Sequence, residues 1–151
     1  MEPIIVQAQM LIRRPPAEVY RAFVDPAVTT KFWFTRSSGP LVVGQTAEWF
    51  WDMYGVSTKL VVKALEPGRR ILIEWDDPAV SVEWLFEPYE GETTYVTIKN
   101  WGHVGSEQEL IAQALDNKGG FTFVLAGLKA WLEHGIELNL VADHVPMANV
   151  K

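Results

Sequence analysis

From Ala47 to Ile98, apolar and polar residues alternate through short segments separated by turn residues, and four tryptophans fall on the apolar side. Ala47, Trp49, Trp51 and Met53 alternate with Glu48, Phe50 and Asp52. Thr58, Leu60, Val62 and Ala64 alternate with Lys59, Val61 and Lys63. The pattern recurs at Ile71, Ile73 and Trp75, at Val80, Val82, Trp84 and Phe86, and at Val96 and Ile98. A period of two places each such set on one face of a strand. The breaks carry turn chemistry: Tyr54-Gly55, Glu66-Pro67-Gly68, Asp76-Asp77-Pro78, and Pro88 to Glu92 with Gly91 inside it. The spacing predicts an antiparallel meander with one face crowded by large rings. A face that wide needs a cover.

The cover is expected from the C-terminal third. Beyond Gly105 the apolar period changes, and Ser106 with Glu109 forms a capping box. Leu110, Ile111, Ala114 and Leu115 follow at helical spacing, then Phe121, Val124, Leu125, Leu128, Trp131 and Leu132 as one wide stripe. Asn117-Lys118-Gly119-Gly120 is expected to interrupt or kink this helix, and Gly135 to end it. Residues 136–151 show no period and read as a docked or loose tail.

Upstream, residues 4–13 predict a first strand with Val6, Ala8, Met10 and Ile12 on one face. Pro16 and Pro26 each suit the first turn of a helix, with Asp25 as a cap for the second. The first helix carries Val19, Ala22 and Phe23; the second is expected to carry Phe32 and Trp33. The chain therefore reads as one α+β domain over residues 1–151, ordered as strand, two short helices, antiparallel run and long C-terminal helix.

Composition narrows the function classes. With 48% apolar and 21% charged residues the chain is ordinary for a globular protein. A net charge of −6, without a basic cluster, argues against a nucleic-acid or anionic-membrane partner. The absence of cysteine excludes disulfides and thiolate chemistry. His103, His134 and His144 are widely spaced and match no metal-ligand motif, so no metal is expected. No phosphate-binding glycine pattern and no nucleophile elbow occur, so no cofactor and no catalytic residue are assigned. No apolar run is long enough to span a membrane, and residues 1–3 do not begin a signal peptide; a cytoplasmic location is expected.

The order of elements resembles the helix-grip fold of the START-like, or SRPBCC, superfamily, which includes the birch-pollen-allergen proteins. Local residues narrow the resemblance to the family named after the activator of the heat-shock-protein-90 ATPase. Residues 16–23, Pro-Ala-Glu-Val-Tyr-Arg-Ala-Phe, are similar to that family's opening motif. Asp25-Pro26 with Phe32-Trp33-Phe34 resembles its second helix, residues 61–75 its hairpin, and Gly119-Gly120-Phe121 leading to Leu128-Lys129 the start of its last helix. The resemblance implies a curved antiparallel β-sheet wrapped around a long C-terminal α-helix. Superfamily relatives bind lipids, sterols, polyketides or plant hormones between sheet and helix, and some are aromatase/cyclases. The eukaryotic co-chaperone has a separate N-terminal chaperone-binding domain for which this chain is expected to have no room, so no chaperone partner is carried over.

The residues themselves point to a cavity. Any one Trp is explained by core packing. As a set, Trp49, Trp51, Trp75 and Trp84 are too bulky to interdigitate with one helix without leaving space. They, with Trp33 and with Phe121, Leu125 and Leu128 of the helix, are the candidate lining of an apolar small-molecule site. Asn100 continues the Val96–Ile98 face; it is either a strand-end residue satisfying local backbone or a polar anchor for a ligand. Glu48, Asp52, Glu74 and Asp76 alternate with tryptophans and are expected on the solvent side, and His103 in a surface loop near the cavity mouth. His134 suits the negative end of the helix. The leading expectation is a binding or carrier domain for a small, largely apolar ligand, lipid, sterol or polyketide/flavonoid-like. The alternatives are a cyclase/aromatase- or hydrolase-like enzyme using the same cavity, and a chaperone-associated interaction module. A homodimer is compatible with the residues, though nothing in them selects it.

Overall fold

A computed structural model of the protein describes residues 2–76 and 79–150. Asp77 and Pro78, part of one expected turn, lie outside the described residues. The described residues form a seven-stranded antiparallel sheet in the order β1-β7-β6-β5-β4-β3-β2. Its strands are β1 (Val6–Ile12), β2 (Arg36–Ser37), β3 (Thr46–Trp51), β4 (Val56–Glu66), β5 (Arg70–Trp75), β6 (Val80–Tyr89) and β7 (Thr93–Trp101). Helices α1 (Pro16–Val24) and α2 (Pro26–Thr29) follow β1, and the long α3 (Glu107–His134) follows β7. This is the helix-grip arrangement: a curved sheet closed over one long helix.

The alternation read from the sequence sets the buried face. Ala47, Trp49, Leu60, Val62, Ile71 and Ile73 are buried on it, continuing across β6 through Val82, Trp84 and Phe86 to Val96 and Ile98 of β7. A register shift between Val62 and Ala64 marks a bulge in the β4–β5 ladder, where a strand bends and twists more strongly. Gly68, at φ 72°, supplies the left-handed position of the β4–β5 turn. β6 runs through Pro88 to Tyr89, further than the turn expected there. Beyond Leu85 it pairs with β7 but has no β5 partner, and a strand open on one side tolerates a residue that lacks an N–H.

Two expectations about helices are corrected. Phe32 and Trp33 do not lie on the second helix, because α2 ends at Thr29. The Thr29 hydroxyl donates to the Ala22 and Asp25 carbonyls, at 2.5 and 3.0 Å, closing the corner between α1 and α2. The Phe32 and Trp33 amides then bond the Thr29 carbonyl, which folds the chain under the sheet. Helix α3 is unbroken through Gly119-Gly120. Two glycines cost a helix roughly 1 kcal/mol each, less than packing of its C-terminal half recovers. The capping box is formed: Ser106 Oγ accepts the Glu109 N–H and Glu109 Oε1 accepts the Ser106 N–H, both at 3.2 Å. Gly135, at φ 66°, ends the helix.

Helix α3 also closes an open strand edge. β1 is an edge strand, and unpaired edge groups invite foreign strands. Lys118 Nζ donates to the Gln7 carbonyl at 2.5 Å and Lys129 Nζ to the Leu11 carbonyl at 2.8 Å. Beyond α3 the tail is docked, with α4 (Leu140–Asp143) and a 3₁₀ turn at Pro146–Ala148. The Tyr54 hydroxyl donates to the Val141 carbonyl, and the Val150 amide to the Met53 carbonyl.

Leu128 is wholly buried under the sheet, whereas Leu115, on the outer half of the same helix, is 72% exposed. Leu128→Ala is expected to cost about 2–5 kcal/mol and Leu115→Ala less than about 0.5 kcal/mol, read by urea unfolding with circular dichroism.

Candidate functional site

The aromatic residues divide by depth. Trp49 and Trp84 are 2% and 1% exposed and belong to the packed core, as do Leu125 and Leu128. Trp33 lies in front of them, with its ring centroid 4.9 Å from Trp49 and 5.9 Å from Trp84. Trp51 and Trp75 sit at strand ends and are half-buried. Both rings approach Trp33, at 6.1 and 6.3 Å, and Phe121 of α3 approaches it at 6.3 Å. Trp75 and Phe121 lie nearly parallel, at 10°.

In front of these rings is a groove of about 320 Å³. Trp33, Trp51, Trp75 and Phe121 line its inner side. The α3 side is built from Leu115 to Gly120 without Lys118, together with Phe123 and Val124, and the tail contributes Val141 and His144. Of the residues singled out in the sequence, these four aromatics reach the groove. Trp49, Trp84, Leu125 and Leu128 support it from behind, and Asn100 is not on its wall. Asn117, Gly119 and Gly120 belong to a visible anomaly, the helix-breaking run Asn117-Lys118-Gly119-Gly120 inside a helical stripe; Asp116 carried no signal. Val141 and His144 carried no signal, since the tail is aperiodic.

The glycines explain why space is left. A Cβ at Gly119 or Gly120 would meet nothing within 4 Å. Gly127, two turns on, is different: its Cβ would come within 3.1 Å of Phe32 Cβ and 3.2 Å of the Phe32 carbonyl oxygen. Close approach of α3 to the Phe32 segment requires Gly127. Gly119 and Gly120 have open space where a Cβ would stand, and both line the groove.

A polar chain braces the rear of the groove. Asn100 is fully buried, and its Nδ2 donates to the Ser81 carbonyl at 2.9 Å. Its Oδ1 accepts from Asn117 Nδ2 at 3.1 Å, and that nitrogen also lies 3.0 Å from His103 Nε2. Both Asn117 hydrogens are thus used, His103 Nε2 acts as an acceptor, and its proton sits on Nδ1. Asn117 Oδ1 has no partner among the described residues. Asn117 and Trp75 separate the groove from a second, more polar space of about 530 Å³ lined also by Asp76, Val80, His103 and Gln113. Burial holds His103 below its ordinary value of 6.5, against a weaker upward pull from Asp76. The acids are peripheral: Asp52 pairs with Arg36 at 3.0 Å, Asp76 accepts from the Thr58 hydroxyl and Glu48 from the Ser57 hydroxyl. Among the described residues no group of three or more His, Asp or Glu side chains could hold a metal ion, and no helix is long and apolar enough to cross a membrane.

Gly119→Ala and Gly120→Ala are each expected to stabilise the fold by about 0.5–1 kcal/mol, because helix propensity rises and nothing clashes. Gly127→Ala is expected to destabilise by about 1 kcal/mol through overpacking against Phe32. Thermal and urea unfolding of the three variants would check both signs. His103 supplies a pH signature. Its folded-state pKa is depressed, so its contribution is full above about 6.5 and is lost as pH falls from there through the lower folded value. Stability measured from pH 8 to pH 5 is expected to fall in that window, with the slope reduced in His103→Gln.

Comparison with known proteins agrees with this architecture. The sequence model of the family described as "Activator of Hsp90 ATPase homolog 1-like protein" matches residues 13–133. Protein SSP2350 from Staphylococcus saprophyticus is similar at 28% identity over 89% of this chain and 96% of that one, with a TM-score of 0.76. DynU16, a putative protein in the dynemicin biosynthetic locus, is similar at 22% identity over 88% of this chain, which spans 48% of that protein, with a TM-score of 0.76. The Aha1 dimer from Colwellia psychrerythraea is similar at 20% identity over 87% of this chain and 98% of that one, with a TM-score of 0.74. No curated protein matches. The chain belongs to the activator of Hsp90 ATPase homolog 1-like family.

Proposed function

We propose that this family member is a binding or carrier domain for a small, largely apolar and aromatic molecule held in the groove between Trp33, Trp51, Trp75 and α3. One observation carries the reading: the half-buried rings face a glycine-walled stretch of α3 where no side chain fills the space, although filling it would stabilise the helix. A protein tolerates that loss where the space is used. The groove volume, about 320 Å³, lies at the small end of the range for small-molecule sites, roughly 300–1,000 Å³. The wall is mostly apolar with few polar groups, which is the usual composition of such sites. The location of DynU16 in a biosynthetic locus is compatible with a small-molecule role for this fold.

An enzyme reading has less support. Its requirement is an ionisable group with a shifted pKa aimed at the ligand. His103 is the burial-shifted imidazole, and it stands behind Asn117, with Nε2 engaged. The dimer described for the Colwellia relative makes self-association a property to record in the same experiments.

Tryptophan fluorescence titrated with fatty acids, sterols, flavonoids and polyketide-like aromatics tests the reading. Saturable quenching by planar aromatics is expected, weakened about tenfold or more in Trp75→Leu and Trp51→Leu variants that keep the native circular dichroism spectrum. No response across the panel would overturn it.

A further inference from the structure

We propose that the groove selects planar aromatic molecules carrying a protonated amine over the same ring systems carrying a carboxylate. This narrows the ligand class of the site described above and rests on that reading.

Charge on the groove wall is one-sided. Among the described residues no lysine or arginine lines it, and Asp116 stands exposed at its rim. Lys118, next to the glycine pair, is turned away: its ammonium bonds the Gln7 carbonyl on the far edge of the sheet. Lys129, further along α3, is held by the Leu11 carbonyl and by Glu133 at 2.8 Å. Lys31, from the loop below, sits 5.4 Å from the centre of the Trp131 ring. Among the described residues, the lysines of α3 and Lys31 are thus engaged away from the groove.

The neutral part of the wall points the same way. Indole faces are the strongest aromatic partners for a cation, and Trp33, Trp51 and Trp75 all line the groove. Asn117 offers Oδ1, which has no partner among the described residues, while both its hydrogens are engaged with Asn100 and His103. His144, also on the wall, turns Nδ1 to the Val141 carbonyl at 2.7 Å, so that nitrogen is the donor in this bond. An ammonium group donates and accepts nothing, which suits such a rim; a carboxylate would find indole N–H groups as donors but no lysine or arginine as a counter-charge among the described lining residues. The net charge of −6 adds a long-range bias of the same sign.

The test uses three naphthalene probes that differ in one substituent: 2-naphthylmethylamine, 2-naphthalenemethanol and 2-naphthoic acid. Binding is read at pH 8 from the indole N–H shifts of ¹⁵N-labelled protein, in low and in high salt. The expected order is amine, then alcohol, then acid, with roughly three- to tenfold between amine and alcohol. Asp116→Asn is expected to narrow the gap between amine and alcohol, lowering amine affinity by more than alcohol affinity. Asp116 is exposed at the rim, so the variant should fold as the parent does, which the unperturbed indole shifts would confirm. Equal binding of all three probes, or tightest binding of the acid, overturns the charge preference while leaving the aromatic groove standing. Failure of all three to shift any indole signal overturns the groove as a ligand site, and this inference with it.

Discussion

The ring of Trp33 is the piece on which the rest of this structure depends. It lies within about 6.5 Å, centre to centre, of Trp49, Trp51, Trp75 and Trp84 on the sheet, of Phe121 on α3 and of Phe23 on α1. Most of these contacts are edge-on or tilted, which suits the quadrupoles of aromatic pairs. Rings in such arrangements do not interlock with a helix as aliphatic side chains do. Trp33 therefore acts as a wedge that joins sheet to helix at one end of the core and props them apart at the other. Where Leu125 and Leu128 meet the sheet, both are wholly buried. Beyond Phe121, toward the start of α3, the wedge has no helical side chain to meet, and the groove begins.

Helix α3 keeps that opening because it is fastened on either side of it. Gly127 lets the backbone approach Phe32, and Lys129 holds the edge of β1. Nearer the start of the helix, Lys118 bonds the same edge and Asn117 bonds Asn100 at the end of β7. The intervening helix is stiff, so the gap opposite Gly119 and Gly120 cannot close by a local collapse. The docked tail adds the remaining wall, tied down by the Tyr54 hydroxyl and by the Val150 amide.

Much of the architecture was legible in the residues, because the signals were local. Alternation placed the strands, Asp25-Pro26 placed α2, and Ser106 with Glu109 placed the start of α3. Membership of the family and the helix-grip order followed from the same motifs. What was illegible depended on distance through space. Alternation assigns a side chain to a face but not to a depth, so Trp49 and Trp51 read alike although one is core and the other groove wall. A Gly-Gly pair in a helix reads as a break, since propensity is local, whereas tertiary contacts on both sides keep the helix straight through it. Gly127 looked no different from Gly119 in sequence; the Phe32 contact that separates them comes from a segment nearly a hundred residues earlier. Trp33 was placed on a helix that ends before it, because the Thr29 hydroxyl bonds that fold it under the sheet leave no periodic trace.

The polar residues behind the groove are committed to the fold. A buried amide must be satisfied, and Asn100 is satisfied by Ser81 and Asn117 before any ligand arrives. Asn117 in turn spends its hydrogens on Asn100 and His103, which fixes the imidazole tautomer and keeps the ring neutral by burial. These groups hold β7 and α3 in register, and replacing any one of them strands a partner in a poorly solvated place, at a cost of about 1–3 kcal/mol. A chain committed in this way ties the side chains of Asn100, Asn117 and His103 to the packing of α3 against the sheet. The groove itself is left with the rings of Trp33, Trp51, Trp75 and Phe121, the exposed carboxylate of Asp116 and the space beside two glycines. It is on those features, and not on the buried amide behind them, that the proposed ligand binding rests.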